Sequence, residues 1–305
     1  MLNIGWFSTG RDEAAQKLFH AVQHRIRSGD IRGRVSFVLS NREPGEAKES
    51  DLFFRTVRSY HIPLVCLSHR SLRAAISTAD PGDRGMPPAA QESVEPETAS
   101  DHGRASPHAG HESWRILYDR EVDKSIARFS PDICVLAGYM LIVGPELCGK
   151  HTMINLHPAT PGGPTGTWEE VIRSLINANA DTAGAMMHLV TPELDRGPAL
   201  TYCRFPLRGA AFDAFRRTGD TDGLFQAIRE HELAREFPLI IHTLRAIALG
   251  EITIREHRVI DSTGRPVNGY DLSSRIEQEL AADNHPLPGS SNHPPSPQDG
   301  QGDSR

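Results

Sequence analysis

The sequence contains no apolar run that approaches the roughly 20 residues needed for a membrane-spanning helix. It also lacks a basic excess, because 33 Lys and Arg residues stand against 39 Asp and Glu residues in a chain of 305. A general nucleic-acid binder would usually carry the opposite balance. The N-terminus starts with a strand-like run, LNIGWF, and lacks the basic segment and cleavage site of a secretory signal. We therefore expect a cytoplasmic protein without a membrane or nucleic-acid partner.

Cysteine is scarce, with four residues and no C-x-x-C pair. Three of the four lie within apolar runs, which is typical of reduced thiols. The sequence also lacks G-x-G-x-x-G and G-x(4)-G-K-[ST], so neither NAD nor ATP is indicated. Several histidines are loosely spaced in polar sequence, and we predict that they are solvated and form no metal site: His102, His108, His111, His285 and His293.

Phe, Tyr and Trp are absent from residues 71–113, a segment rich in Pro, Gly, Ala, Ser, Glu, Asp and His. Such a composition cannot bury enough apolar surface to order itself, so we predict a disordered insertion. The same argument predicts a disordered tail over residues 283–305. Because the strand and helix pattern resumes after the insertion, residues 1–70 and 114–262 are predicted to form one domain.

The remaining chain alternates short apolar runs with helical spacing. Residues 2–7, 35–39 and 63–67 read as strands, and the segments between them carry helical periodicity. This alternation predicts an α/β, Rossmann-like domain with a mostly parallel sheet flanked by helices. Near the C-terminus, residues 224–249 predict a long helix that Pro238 should kink or split. Residues 252–254 and 258–260 predict a hairpin-like pair.

Three polar residues stand out around one predicted strand and a later turn: Asn155, His157 and Asp195. Residues at i and i+2 of a strand project to the same side, so Asn155 and His157 should point together. Acyl transfer to an amine passes through an oxyanion, and it needs hydrogen-bond donors and a group that accepts the amine proton. An amide, an imidazole and a carboxylate could serve in this way. From residue types alone, a structural account, with a histidine that caps a strand end and an aspartate in a turn, is slightly favoured over a site.

The segments INLHPATPGG and GAMMHLVTPELDRGP, together with YDREV at 118–122 and LAGYM at 136–140, resemble folate-dependent formyltransferases. The similarity spans about residues 2–261 apart from the insertion. It implies a formyltransferase-type fold and transfer of the formyl group of 10-formyltetrahydrofolate to a substrate amine, with glycinamide ribonucleotide as the expected amine. In that family the matching residues Asn155, His157 and Asp195 are catalytic, and His188 resembles a nearby family position.

The resemblance also implies where the two small molecules bind. Two stretches would surround the folate: Tyr139, Met140, Leu141, Ile142 and Val143 in the first, and Thr191, Glu193 and Leu194 in the second. Without the resemblance, ordinary core packing would explain the first stretch. Further residues would contact the amine substrate: Thr9, Gly10, Arg11, Pro158 and Glu232.

The turn at Gly10 departs from the family members that act on glycinamide ribonucleotide. A turn between a first strand and a helix can bind phosphate through backbone N–H groups. In those relatives the turn is usually Gly-x-Gly-Ser-Asn, whereas here Asp12 and Glu13 replace the small residues and would oppose a phosphate. Another amine, such as an amino sugar nucleotide, therefore stays open. A separate alternative is a non-catalytic folate- or nucleotide-binding module that has kept the fold. The sequence does not indicate an oligomeric state.

Overall fold

The computed structural model describes residues 1–79 and 114–283. The expected disorder of residues 80–113 and 284–305 concerns segments that lie outside this description. The first part contains β1 (Leu2–Phe7), α1 (Glu13–Arg27), β2 (Gly33–Ser40), α2 (Lys48–Ser59), β3 (Leu64–Cys66) and α3 (His69–Ala79). The second part begins with α4 (Trp114–Ile126), β4 (Ile133–Leu136), α5 (Pro145–Lys150), β5 (Met153–His157) and α6 (Trp168–Asn177). It continues with β6 (Thr182–Leu189), β7 (Ala199–Pro206), α7 (Ala210–Thr218), α8 (Thr221–Ala248), β8 (Ile252–Arg255), β9 (Arg258–Asp261), β10 (Tyr270–Asp271) and α9 (Ser273–Asp283).

The main sheet has eight strands in the order β10-β7-β6-β5-β4-β1-β2-β3. Each neighbouring pair is parallel except the two that involve β6, which runs against both β5 and β7. The predicted mostly parallel sheet is therefore confirmed. In a parallel sheet the carboxyl ends of the strands share one edge, so the segments that follow β1, β2, β4 and β5 begin there.

Helices cover both faces of the sheet, as alternation along β1 shows. Trp6 packs edge-on against Phe19 of α1, in a core that also contains the inward faces of α2 and α8. The next residue, Phe7, points to the opposite face and packs with Phe37 and with the inward residues of α4 and α5. This alternation places α1 and α8 on one side of the sheet and α4 and α5 on the other.

Pro238 does not split α8, although the sequence pattern predicts a kink or a split at this proline. α8 runs from Thr221 to Ala248 without a break. A proline removes one backbone donor from the helix interior. Here, however, the residues on both sides of it are buried, including Ile228 before it and Leu239 and Leu244 after it. Packing against the sheet on both sides of Pro238 therefore keeps the two parts in one helix.

The structure also corrects two expected boundaries of the domain. α3 extends to Ala79, so residues 71–79 are helical and do not belong to the predicted insertion. Beyond residue 262, β10 pairs with β7 and Ile276 of α9 is fully buried in the core. Sequence patterning missed this last segment because β10 has two residues, too few to show a strand period. In the described parts of the chain, no helix is long and apolar enough to cross a membrane.

Candidate active site

Asn155 and His157 lie on β5, and His188 lies on the adjacent β6. The antiparallel register places Asn155 directly opposite His188. Their side chains meet, with Asn155 Nδ2 3.2 Å from His188 Nε2. Side chains that face each other across two strands are close enough to interact directly. The sheet thus brings an amide and two imidazoles together on one face.

Asp195 reaches the same place from the loop between β6 and β7. Its Oδ2 atom lies 3.7 Å from His157 Nδ1, and its Oδ1 atom lies 3.7 Å from His188 Nε2. The backbone N–H of Gly166 donates to Asp195 Oδ2 at 3.1 Å. The side chain of Asp195 is only 7% exposed. The three residues predicted from the sequence are therefore brought together, and His188 joins them.

Two backbone features fold this loop back onto the sheet. Asp195 adopts a φ of 53°, in the left-handed region that Asp and Asn tolerate better than most residues. Gly197 lies so close to the end of β6 that a Cβ there would sit 1.7 Å from the carbonyl oxygen of Leu189. Only glycine allows this approach. The D-x-G spacing in the sequence therefore has a direct steric reason.

The hydrogen-bond partners of the two histidines determine where their protons lie. His188 Nδ1 is 3.0 Å from the carbonyl oxygen of Leu189, so Nδ1 must donate. Burial lowers the pKa of His188 and favours the neutral ring. Its Nε2 then accepts from Asn155 Nδ2 and fixes the orientation of that amide. Among the described residues, the second N–H of Asn155 Nδ2 has no acceptor, so it stays available as a donor.

His157 is 2% exposed, and its Nε2 donates to the carbonyl oxygen of Pro164 at 2.9 Å. Its Nδ1 atom therefore faces Asp195. The 3.7 Å separation from Asp195 Oδ2 is longer than a hydrogen bond. The carboxylate thus acts on the imidazole through its charge. Asp195 Oδ2 does not accept a hydrogen bond from the ring. These two side chains could therefore accept a proton from a bound substrate.

The segment between β5 and α6 covers this group. Pro158, at its start, is half-buried. Its end is fixed by a capping box, in which Glu170 N donates to Thr167 Oγ1 and Glu170 Oε2 accepts from Thr167 N. Gly166 and Pro164, which contact Asp195 and His157, lie just before this cap. The start of α6 therefore positions the backbone that holds the acidic and imidazole side chains.

The residues expected around a folate divide into two groups. Met140, Ile142 and Leu194 are large apolar residues with 41%, 42% and 39% of their surface exposed. The others support the backbone beneath them: Tyr139 packs edge-on against Phe7 at 5.5 Å, Val143 is buried, and Leu141 packs on the same core. Thr191 Oγ1 donates to the carbonyl oxygen of Glu193. The exposed apolar residues are suited to contact a flat ligand.

Thr9, one of the expected substrate residues, is engaged within the protein. It is 2% exposed, and its hydroxyl donates to Asn41 Oδ1 at 2.7 Å and accepts from Met140 N at 3.1 Å. Its backbone N–H donates to the carbonyl oxygen of Gly138. The hydroxyl therefore ties the first turn to the apolar segment after β4 and is not free for a substrate.

The turn at Gly10 presents a carboxylate at the start of α1. Gly10 has a φ of 64°, and a Cβ there would lie 2.6 Å from the ring of Phe53. Asp12 is the N-cap of α1, and its Oδ1 accepts from Ala15 N at 2.9 Å. Arg11 Nε lies 3.8 Å from Asp12 Oδ2. The carboxylate of Asp12 thus occupies part of the positively polarised N-terminal end of α1.

Glu232, one of the expected substrate residues, lies on α8. It is fully buried, and among the described residues neither of its carboxylate oxygens has a hydrogen-bond partner. Arg229 Nη1 is 3.7 Å away and is bonded instead to Glu236 Oε1 at 2.8 Å. Burial, with a smaller effect from Glu236, raises the pKa of Glu232 to about 9. Arg229 also stacks on Trp168, the first residue of α6.

The profile of the Formyl transferase family matches residues 14–207 of this chain. The chain belongs to the formyl transferase family. The matched range includes Asn155, His157, His188 and Asp195, and the family expected from the sequence motifs is confirmed.

Two curated relatives are both named phosphoribosylglycinamide formyltransferase. This formyl transferase is 27% identical to phosphoribosylglycinamide formyltransferase of Escherichia coli over 159 residues, which cover 51% of this chain and 68% of the relative. It is 32% identical to the protein of that name from Schizosaccharomyces pombe over 105 residues, or 32% of this chain and 51% of the relative. The match thus spans only about half of the length of the Schizosaccharomyces pombe protein.

Solved structures share the fold. The phosphoribosylglycinamide formyltransferase of Coxiella burnetii superposes with a TM-score of 0.61 at 19% identity, over 88% of this chain and 98% of the other. A formyltetrahydrofolate deformylase from Pseudomonas syringae gives 0.56 at 17% identity, over 85% of this chain and 65% of the other. At such identities the likeness concerns architecture, and it includes both a formyltransferase and a deformylase.

His188 is the residue that sequence reasoning placed near the site without assigning it a role. As a strand residue with a satisfied hydrogen bond it could equally be structural. The missing information was the direction of β6, because only antiparallel pairing puts His188 opposite Asn155. Among the described residues, no group of three or more His, Cys, Asp or Glu side chains is placed to hold a metal ion.

Proposed function

We propose that this chain transfers the formyl group of 10-formyltetrahydrofolate directly to a primary amine. The observation that supports this most strongly is the convergence of Asn155, His157 and Asp195, with His188 orienting the amide. Folate would supply the activated formyl carbon. The exposed side chains of Met140, Ile142 and Leu194 offer an apolar surface to its flat ring system, and they fit such a ligand.

Each polar residue would have a separate task. The N–H of Asn155 that is not held by His188 would donate to the formyl oxygen as negative charge develops on it. His157, protonated on Nδ1, would be the second donor. Asp195, 3.7 Å from that nitrogen, would stabilise the imidazolium and receive the proton that leaves the attacking amine. The departing folate nitrogen must then gain one proton, so the proton count balances within the site.

The resemblance and the names of the relatives favour glycinamide ribonucleotide as the amine. Pro158, beside the catalytic histidine, and Arg11, at the first turn, are the predicted residues best placed to contact it. The N-cap carboxylate of Asp12 is the observation that favours a second candidate. An amine without a phosphate at this turn, such as an amino sugar nucleotide, would avoid repulsion by Asp12.

The amine can be identified by measuring tetrahydrofolate release from 10-formyltetrahydrofolate with a panel of amines. The panel contains glycinamide ribonucleotide, its unphosphorylated riboside and amino sugar nucleotides, and each assay is repeated with Asp195→Asn. Release with glycinamide ribonucleotide that is lost in the variant supports the favoured amine. Release only with another amine overturns the substrate while sparing the chemistry. Folate binding without turnover on any amine would instead indicate a binding module.

A further inference from the structure

Residues 138–144, within the segment between β4 and α5, carry the exposed Met140 and Ile142 but form no helix or strand. We call this stretch the 138–144 loop. A loop without a ladder of hydrogen bonds must be fixed by contacts from outside. Its first half is held by Thr9, which bonds to the carbonyl oxygen of Gly138 and to the N–H of Met140.

The second half of the loop is held by α4. Asp119 Oδ2 accepts from the N–H of Gly144 at 2.6 Å, and Asp119 is 6% exposed. Gly144 is matched to this contact, because a Cβ at that position would lie 2.6 Å from the same oxygen. A hydrogen bond to a charged, buried acceptor is among the stronger ones in proteins, since the ion has few alternative partners.

The preceding residue of α4 also contacts the loop. Tyr118 is 2% exposed, its hydroxyl donates to the carbonyl oxygen of Leu67 at 2.8 Å, and it packs in the same apolar cluster as Tyr139. Tyr139 in turn packs on Phe7 of β1. Two successive residues of one helix therefore hold Tyr139 and Gly144, which flank the exposed Met140 and Ile142.

The charge on Asp119 is maintained at neutral pH. Burial, opposed by the hydrogen bond from Gly144, raises the pKa of Asp119 to about 6. Glu146 on α5 raises this pKa further, whereas Arg115 on α4 lowers it. Above about pH 7 the carboxylate is therefore ionised and accepts the Gly144 N–H as an anion.

We propose that Asp119 is a positioning residue for folate: by holding Gly144 it sets the 138–144 loop in the conformation that presents Met140 and Ile142 to the ligand. This inference rests on the proposed function, because it assumes that folate contacts this loop. It adds a residue that touches neither the ligand nor the reacting atoms. Asp119 acts on folate affinity alone, whereas Asn155, His157 and Asp195 act on the chemistry.

The test compares two carboxylates of the same helix. Asp119→Ala removes the contact with the loop. Asp123→Ala is the matched control, because Asp123 also joins α4 to α5, through Lys150 Nζ at 2.6 Å and His151 Nε2 at 2.8 Å, but at the far end of α5. The dissociation constant for 10-formyltetrahydrofolate is measured by calorimetry at pH 7.5 without any amine. Asp119→Ala should weaken binding about tenfold, as expected for one charged hydrogen bond, and Asp123→Ala by less than about twofold.

Two further variants keep the inference testable if Asp119→Ala does not fold. Asp119→Asn retains an acceptor oxygen and should restore most of the affinity. Gly144→Ala adds a Cβ against Asp119 Oδ2 and should weaken binding as Asp119→Ala does. In turnover, Asp119→Ala and Gly144→Ala should raise the KM for folate and leave the KM for the amine unchanged.

If Asp119→Ala and Asp123→Ala weaken folate binding equally, α4 has loosened generally and the inference is overturned. Folate affinity equal to that of the parent in both Asp119→Ala and Gly144→Ala would also overturn it. These outcomes are distinct from failure of the proposed function. A parent protein that binds folate but formylates no amine refutes the transferase and leaves the role of Asp119 measurable. A parent protein that binds no folate refutes both.

Discussion

His188 Nε2 accepts a hydrogen bond from Asn155 Nδ2 across two antiparallel strands, at a distance of 3.2 Å. This contact leaves one N–H of the amide to stabilise negative charge on a substrate oxygen. Its importance can be measured, because it links a residue predicted to be catalytic with one that orients it.

We expect Asn155→Ala to lower kcat by a factor of about 10² to 10³, the usual effect of losing one oxyanion donor. His188→Ala should lower kcat less, by about tenfold, because the amide remains but loses its fixed orientation. The double variant should be no worse than Asn155→Ala alone. Steady-state kinetics of the four proteins checks this prediction, and additive effects would show that His188 acts independently of Asn155.

Asp195→Asn should leave the fold intact and lower kcat about a hundredfold, the lower range for loss of a proton-transfer group. The amide can still accept from Gly166 N, so the loop should keep its position. Circular dichroism and thermal unfolding provide the control for folding. Turnover equal to that of the parent would exclude a role for Asp195 in proton transfer.

Asp12→Ser should lower the KM for an amine that carries a phosphate by about fivefold. Serine still caps a helix, whereas the change removes a charge whose repulsion of a nearby anion is about 1 kcal/mol in a water-like environment. Asp220→Ser is the matched control, because Asp220 caps α8 in the same way by accepting from Gly223 N. If KM is unchanged in Asp12→Ser, the substrate phosphate does not approach the start of α1.

Glu232 predicts a pH dependence of stability. Its pKa is raised from 4.5 to about 9 in the folded protein, so the folded state binds more protons than the unfolded state between these values. The free energy of unfolding contributed by Glu232 therefore falls as the pH rises from about 4.5 to about 9. Glu232→Gln should remove this contribution and make the variant more resistant to urea than the parent at pH 9. The difference between the two proteins should diminish towards pH 5, and a constant difference at both pH values would contradict the burial of an unpaired carboxyl group.

The parallel part of the fold could be predicted from local patterns. The alternation of apolar strands and amphipathic helices through residue 67 needs no long-range information. The course of α8 through Pro238 could not be predicted, because it depends on the burial of Ile228 and Leu239 against the sheet. The pairing of β10 with β7 depends on contacts between distant segments and leaves no period in a two-residue strand.

The same distinction applies to the site. The common orientation of Asn155 and His157 follows from strand geometry, and the motifs provided Asp195. It was not evident that Asp195 could reach Asn155 and His157. The connection between β6 and β7 starts opposite Ile154, which lies three residues before His157. The left-handed φ of Asp195 and the close approach of Gly197 bring it back. Likewise, a burial pattern could not show that the hydroxyl of Thr9 is already occupied by Asn41 and Met140.

The central claim is that the formyl group moves directly from folate to an amine on these residues. The most direct measurement is a single-turnover reaction with 10-formyltetrahydrofolate labelled in the formyl carbon, in which labelled formyl-amine and free formate are both quantified. We expect one equivalent of formylated amine for each tetrahydrofolate released, little formate, and loss of the product in Asn155→Ala. Release of formate that does not depend on any amine would contradict transfer and identify hydrolysis instead.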